Sequence, residues 1–176
     1  MFCDVIAIAG DDIKNNQMVK YSFFINGISR ACLQEVVRHE AAFSVKSTRY
    51  TLKELKAEDT FDWTLYEDIS RSSKYLKFTG NMFVDQATIK SLENLRVLLN
   101  QGISNDILKY ALPENYKTSL TMTIDSDKLD NFFKLRTDKS ALWEIRELSK
   151  TIFNSLPDNH QQKYNQYFKE SVPSEH

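Results

Sequence analysis

The chain has 176 residues, 41% hydrophobic and 27% charged, with a formal net charge of −1. That length suits one domain with a buried core and is short for two, and the near-neutral balance offers nucleic acid no bulk attraction, so any anion site must be local. Four glycines leave no room for a Rossmann or P-loop phosphate cradle, and two distant cysteines, Cys3 and Cys32, suggest neither a disulfide framework nor a metal centre.

In chain order, the apolar run 1–10 ending in Gly10 reads as a short buried strand. It lacks the basic start and long apolar centre of a secretory signal, and no run reaches membrane-spanning length, which fits a cytoplasmic protein. Residues 19–26, rich in aromatic and β-branched side chains, read as a second strand leading through Gly27 into a helix. That helix, over 28–39, carries Ile28, Ala31, Cys32, Val36 and His39 on one face, and Arg30, Gln34 and Arg38 in a line on the other. After Ala42 the pattern breaks. Residues 43–51 alternate the hydroxyls of Ser44, Ser47 and Thr48 with Lys46 and Arg49, as either a phosphate-binding loop or a solvated surface loop does.

Residues 51–80 hold two short helices with Leu52, Leu55, Phe61, Trp63, Leu65, Tyr66, Ile69, Tyr75 and Leu76 as anchors. Residues 84–101 read as an amphipathic helix with Ala87, Leu92, Leu95, Leu98 and Leu99 on its stripe and Gly102 as its stop. A short helix over 104–111 is capped by Ser104 and ends before Pro113. Residues 116–124 alternate as a strand with Tyr116, Leu120, Met122 and Ile124 inward. Two helices follow, the first turning Leu129, Phe132, Phe133 and Leu135 inward, the second, over 140–155, turning in Leu142, Ile145, Leu148 and Ile152. Beyond Pro157 the polar tail holds one more helix and a loose end at 171–176. Few strands without regular crossover helices give an α+β fold, helices packed on a small, mostly antiparallel sheet.

The protein's own groups look like binders rather than reagents. A histidine on an apolar helix face is usually packed, Cys32 lies on the same face where burial would quench a thiolate, and no carboxylate pair or Ser-His-Asp order is defensible. Such a site makes sense when a cofactor carries the reactive atoms and the protein supplies orientation and charge.

Arg38-His39 followed by Ser47-Thr48-Arg49-Tyr50 resembles the motif of the flavin-dependent thymidylate synthases, an Arg-His-Arg triplet followed, after seven residues, by Ser-x-Arg-Tyr. The flanks GISRACLQEVVRH and SVKSTRYTLKELK are similar to the epsilonproteobacterial branch. The resemblance implies a thymidylate synthase-complementing-protein-like fold over 1–176, conversion of dUMP to dTMP with methylenetetrahydrofolate as one-carbon donor, NADPH as reductant and FAD as hydride carrier, and a homotetramer with sites shared between subunits. Carried over by position, Arg38, Ser47, Thr48, Arg49, Lys109 and Arg136 bind dUMP, with Arg136 also given the catalytic place. Gln34 or Glu35 orients the pyrimidine, and Arg38, His39, Glu40, Asp125 and Asn131 fall at flavin positions.

Four departures accompany the likeness. Glu40 replaces the third triplet residue, and the interval to Ser47 is one residue short. Asp125-Ser126-Asp127 replaces Asn-Ala-Arg. Gln17-Met18 stands where the family has a Glu-His pair, with most of the family's N-terminal region missing. A charge reversal at about 5 Å in an effective dielectric near 20 is worth roughly 3 kcal/mol per unit before screening, so nucleotide binding is expected to outlast flavin binding. Three readings follow: a working enzyme, a truncated inactive relative retaining a dUMP-like pocket, and a structural interaction protein.

Overall fold

The computed structural model describes residues 1–10 and 18–168. Gln17 and the expected loose end at 171–176 lie outside the described residues. The elements are β1 (Phe2–Ala9), β2 (Lys20–Ser29), α1 (Arg30–Val36), β3 (Ala42–Val45), α2 (Thr48–Lys56), α3 (Tyr66–Ser72), α4 (Met82–Asn100), α5 (Asn105–Leu108), β4 (Lys117–Asp125), α6 (Ser126–Arg136), α7 (Trp143–Ser155) and α8 (Asp158–Tyr164). This is the expected α+β class. Among the described residues, no helix is long and apolar enough to cross a membrane. The chain divides into two compact units, one drawn from Met1–Asn26, Gln34–Ser44 and Ser119–His176, the other from Gly27–Leu33 and Val45–Thr118.

The first unit carries the sheet, in the order β1-β2-β4-β3. β1 pairs antiparallel with β2, Phe2 opposite Asn26 and Ala9 opposite Lys20. Period-two alternation buries Tyr21, Phe23 and Ile25 of β2, and Leu120, Met122 and Ile124 of β4. β1 corrects an expectation: Cys3 is buried, but Phe2, Ile6 and Ile8 are exposed. A continuous apolar run does not distinguish a central strand from an edge strand, and this one has a partner on one side and α7 against it.

Leu129, Phe132 and Phe133 of α6 and Ile145, Leu148 and Ile152 of α7 are fully buried. The Phe133 ring meets Tyr164 of α8 edge-on at 5.1 Å, and the Tyr164 hydroxyl donates to the Ser126 carbonyl at 3.1 Å. Leu135 is half exposed and Leu142, at the N-cap of α7, is 37% exposed, so neither points inward as expected. Leu135 lies four residues from Asn131 and eight from Asp127, which puts it on the polar face of α6 rather than the stripe of 129, 132 and 133.

The second unit is built on α4, whose Ile89, Leu92, Leu95 and Leu99 pack with Leu52 and Leu55 of α2 and with Phe61, Tyr75 and Tyr116. Each such leucine contributes about 1.5–3 kcal/mol by leaving water. Asn81 starts α4 two residues before the apolar period does, its side-chain oxygen accepting from Phe83 N–H at 3.1 Å and Val84 N–H at 3.3 Å. Gly102, at φ +82°, ends it in a conformation that glycine adopts without strain. The stripe is shifted from the one expected, with Ile89 buried and Ala87 exposed. Leu65 and Tyr66 are likewise exposed, at the start of α3. The 104–111 helix is α5 followed by a 3-10 turn at Lys109–Ala111, and Ser104 makes no side-chain cap.

Candidate functional site

The Ser29 hydroxyl accepts the Cys32 N–H at 2.9 Å and so caps α1. The helix then stops at Val36, where the His39 N–H closes on the Val36 carbonyl at 3.2 Å. The helix expected over 28–39 therefore ends three residues early and begins two late, Ile28 and Ser29 belonging to β2. Successive β-branched Val36 and Val37 favour such a stop, and the tighter turn leaves Arg38 exposed while returning His39 to the interior. The line of Arg30, Gln34 and Arg38 drawn from helical spacing is not continuous, since Arg38 lies beyond the helix.

Arg136, in the last turn of α6, is the centre of the site. Its Nε donates to His39 Nε2 at 2.7 Å, one terminal nitrogen donates to the Glu35 carboxylate at 2.8 Å, and the other donates to the Glu35 carbonyl at 3.2 Å. The Arg136 side chain is 14% exposed. An arginine has five N–H donors, so one on each terminal nitrogen remains for a ligand. Glu35 also holds Arg38 at 3.2 Å, so one carboxylate fixes two cations.

His39 sits edge-on to Phe132 with ring centroids 4.7 Å apart. Burial, reinforced by the Arg136 charge and only partly opposed by Glu35, pushes its pKa down to about 4. The ring is therefore neutral at physiological pH. Because Arg136 can only donate, Nε2 carries the lone pair and Nδ1 the proton.

Beside this cluster is a cavity of about 370 Å³. The turn after α1 contributes Arg38, His39 and Glu40, and the outer face of α6 contributes Asp127, Lys128, Asn131, Leu135 and Arg136. Positions 128, 131 and 135, or 127, 131 and 135, follow helical three- and four-residue steps. The Glu40 carboxylate meets Lys128 Nζ at 2.7 Å. Lys128 was not singled out from sequence; the available signal was its place three residues before Asn131 on the α6 face. Asp125, at the N-cap of α6, pairs with Lys20 at 3.4 Å.

The other candidates lie in the second unit. The stretch 43–51 is not a loop: it is β3 and then the N-terminus of α2. The Ser47 hydroxyl caps α2, accepting both the backbone N–H and Nε–H of Arg49 at 3.4 Å. Hydroxyls and an arginine at a helix N-terminus, where backbone N–H groups lack partners, suit an anion better than a loop would. Lys109 stands at the end of α5, half exposed and paired with Asp106 at 3.4 Å. Cys32 is fully buried, and burial pushes the Cys3 thiol up to about 12. Among the described residues, no group of His, Cys, Asp and Glu could hold a metal ion.

An α+β protein with a preset arginine beside a cavity lined by Arg38, Lys128 and Asn131 has the donors of an anion-binding protein. Residues 15–160 match the thymidylate synthase complementing protein family, and the chain belongs to that family. It is 56% identical over 143 residues to a flavin-dependent thymidylate synthase of Campylobacter jejuni, covering 81% of this chain and 68% of the relative. It is 56% identical over 144 residues to the enzyme of that name from Wolinella succinogenes, covering 80% and 68%. Among solved structures it resembles thymidylate synthase X from Helicobacter pylori, determined with FAD and dUMP, at a TM-score of 0.83 and 42% identity over 86% of this chain and 74% of that one. The expected likeness to the epsilonproteobacterial branch is borne out.

Proposed function

We propose that the protein is a flavin-dependent thymidylate synthase that converts dUMP to dTMP with methylenetetrahydrofolate as one-carbon donor and NADPH as reductant, acting as a cytoplasmic homotetramer with the whole chain serving as one family domain. The observation that carries the reading is Arg136, fixed by Glu35 and His39 with two N–H groups to spare, in a chain of this family.

The cavity beside Arg136 carries donors for an anionic cofactor, with Arg38, Arg136 and Lys128 supplying positive charge and Asn131 an amide, next to the carboxylates of Glu40 and Asp127. His39, Asn131 and Arg38 would hold FAD there, with Glu40 on the rim and Asp125 at the head of α6. When bound, FAD supplies the hydride that reduces the incoming carbon to a methyl group. The protein's own residues bind and orient. By the resemblance Arg136 is a dUMP-binding residue; within the second unit, Ser47, Thr48 and Arg49 present hydroxyls, a guanidinium and a helix N-terminus suited to a phosphate, and Lys109 is carried over as a further cation. Glu35 is committed to the two arginines. By the resemblance, Gln34 or Glu35 orients the pyrimidine.

The test is purification followed by turnover. The expected result is flavin absorbance in the purified protein and dTMP formation that requires all three small molecules. Colourless protein stabilised by dUMP without turnover would favour the inactive relative, and no response of melting to dUMP or FAD would favour a structural protein.

A further inference from the structure

On the cavity rim, Arg136 and Arg38 are both tied to Glu35, which leaves Lys128 as the third cation. Its Nζ lies 2.7 Å from Glu40, whose side chain is 80% exposed, and Lys128 itself is 39% exposed. An ion pair so open to water adds little to folding, because solvent screening offsets its Coulomb energy. It nevertheless decides what the cavity presents to a ligand. Glu40 and Asp127 both line it, and without Lys128 two carboxylates would face the two arginines that Glu35 already engages.

We infer that Lys128 is an anion-gripping residue of the cavity and that Glu40 is a resident carboxylate which occupies Lys128 until a phosphate-bearing cofactor displaces it, so that the pair sets cofactor affinity. This rests on the proposed function, with FAD as the phosphate-bearing ligand. A carboxylate and a phosphate offer an ammonium group the same kind of acceptor oxygens, so exchange conserves the charge-assisted hydrogen bond. The Lys128 ammonium is correspondingly held in its charged form, first by the hydrogen bond to Glu40 and then by its charge. Lys128 stands one residue beyond Asp127 on α6 and answers Glu40 directly.

The experiment is titration of FAD, followed by quenching of flavin fluorescence, into the full-length protein and its Glu40→Gln, Lys128→Met and double variants at two ionic strengths. Removing the resident carboxylate should tighten FAD by about tenfold at low salt, and removing the cation should weaken it by a similar factor. Both effects should shrink at high salt. The double variant should depart from the product of the single effects, since the two residues act on each other. Melting temperatures of all four proteins should agree, which separates ligand effects from misfolding. Unchanged affinity in Glu40→Gln, with the native protein binding FAD, overturns the inference and leaves the proposed function standing. Failure of every form, including the native one, to bind FAD overturns both.

Discussion

Replacing His39 by Gln keeps an acceptor for the Arg136 Nε–H and removes the titrating ring. In the native fold the imidazole's pKa lies near 4, whereas in the unfolded chain it returns to about 6.5. The unfolded state therefore binds the extra proton first as pH falls, so His39 contributes stability that is full above about pH 6.5 and is lost as pH drops toward 4. Integrating between those two values, the native protein should lose roughly 2 to 3 kcal/mol on this account between pH 7.5 and 4.5. His39 is 9% exposed, so little of this is screened away. The assay is urea denaturation at half-unit pH steps for the native protein and His39→Gln, because carboxylates titrate in both and cancel in the difference. The native curve should fall more steeply, with the gap opening below pH 6.5. Parallel curves across this range would refute both the neutral histidine and its hydrogen bond to Arg136.

Glu35→Ala removes the carboxylate shared by Arg38 and Arg136, and should cost about 1.5–3 kcal/mol by stranding charged donors; in dUMP calorimetry it should weaken binding by tenfold or more, whereas Glu35→Gln should retain part of it. Asn81→Ala removes the cap whose oxygen accepts from Phe83 and Val84, and should lower the urea midpoint by the equivalent of about 1 kcal/mol with no change in ligand affinity.

Strand and helix periods were readable because they are local. The alternation of Leu120, Met122 and Ile124 and the stripe of Leu92, Leu95 and Leu99 each follow from a backbone repeat meeting a single apolar side. The resemblance carried by Arg38-His39 and Ser47-Thr48-Arg49-Tyr50 was legible for the same reason, since it is written in adjacent residues. Exposure was not legible where it depends on neighbours. β1 looked buried because its run is apolar, and Leu135 looked inward because it is a leucine. Likewise, 43–51 looked like a loop because its hydroxyls mask a strand and a helix start.

The residue sequence by itself determined the α+β class, the family and the candidate arginines, because these depend on order and spacing along the chain. Only the tertiary structure decided that Arg136 donates hydrogen bonds to His39 and Glu35, 97 and 101 positions away, and that Glu40 faces Lys128 rather than standing as an uncompensated charge. Charge acts through space, so its partners are fixed by the packing of α6 against the turn after α1 and not by sequence distance.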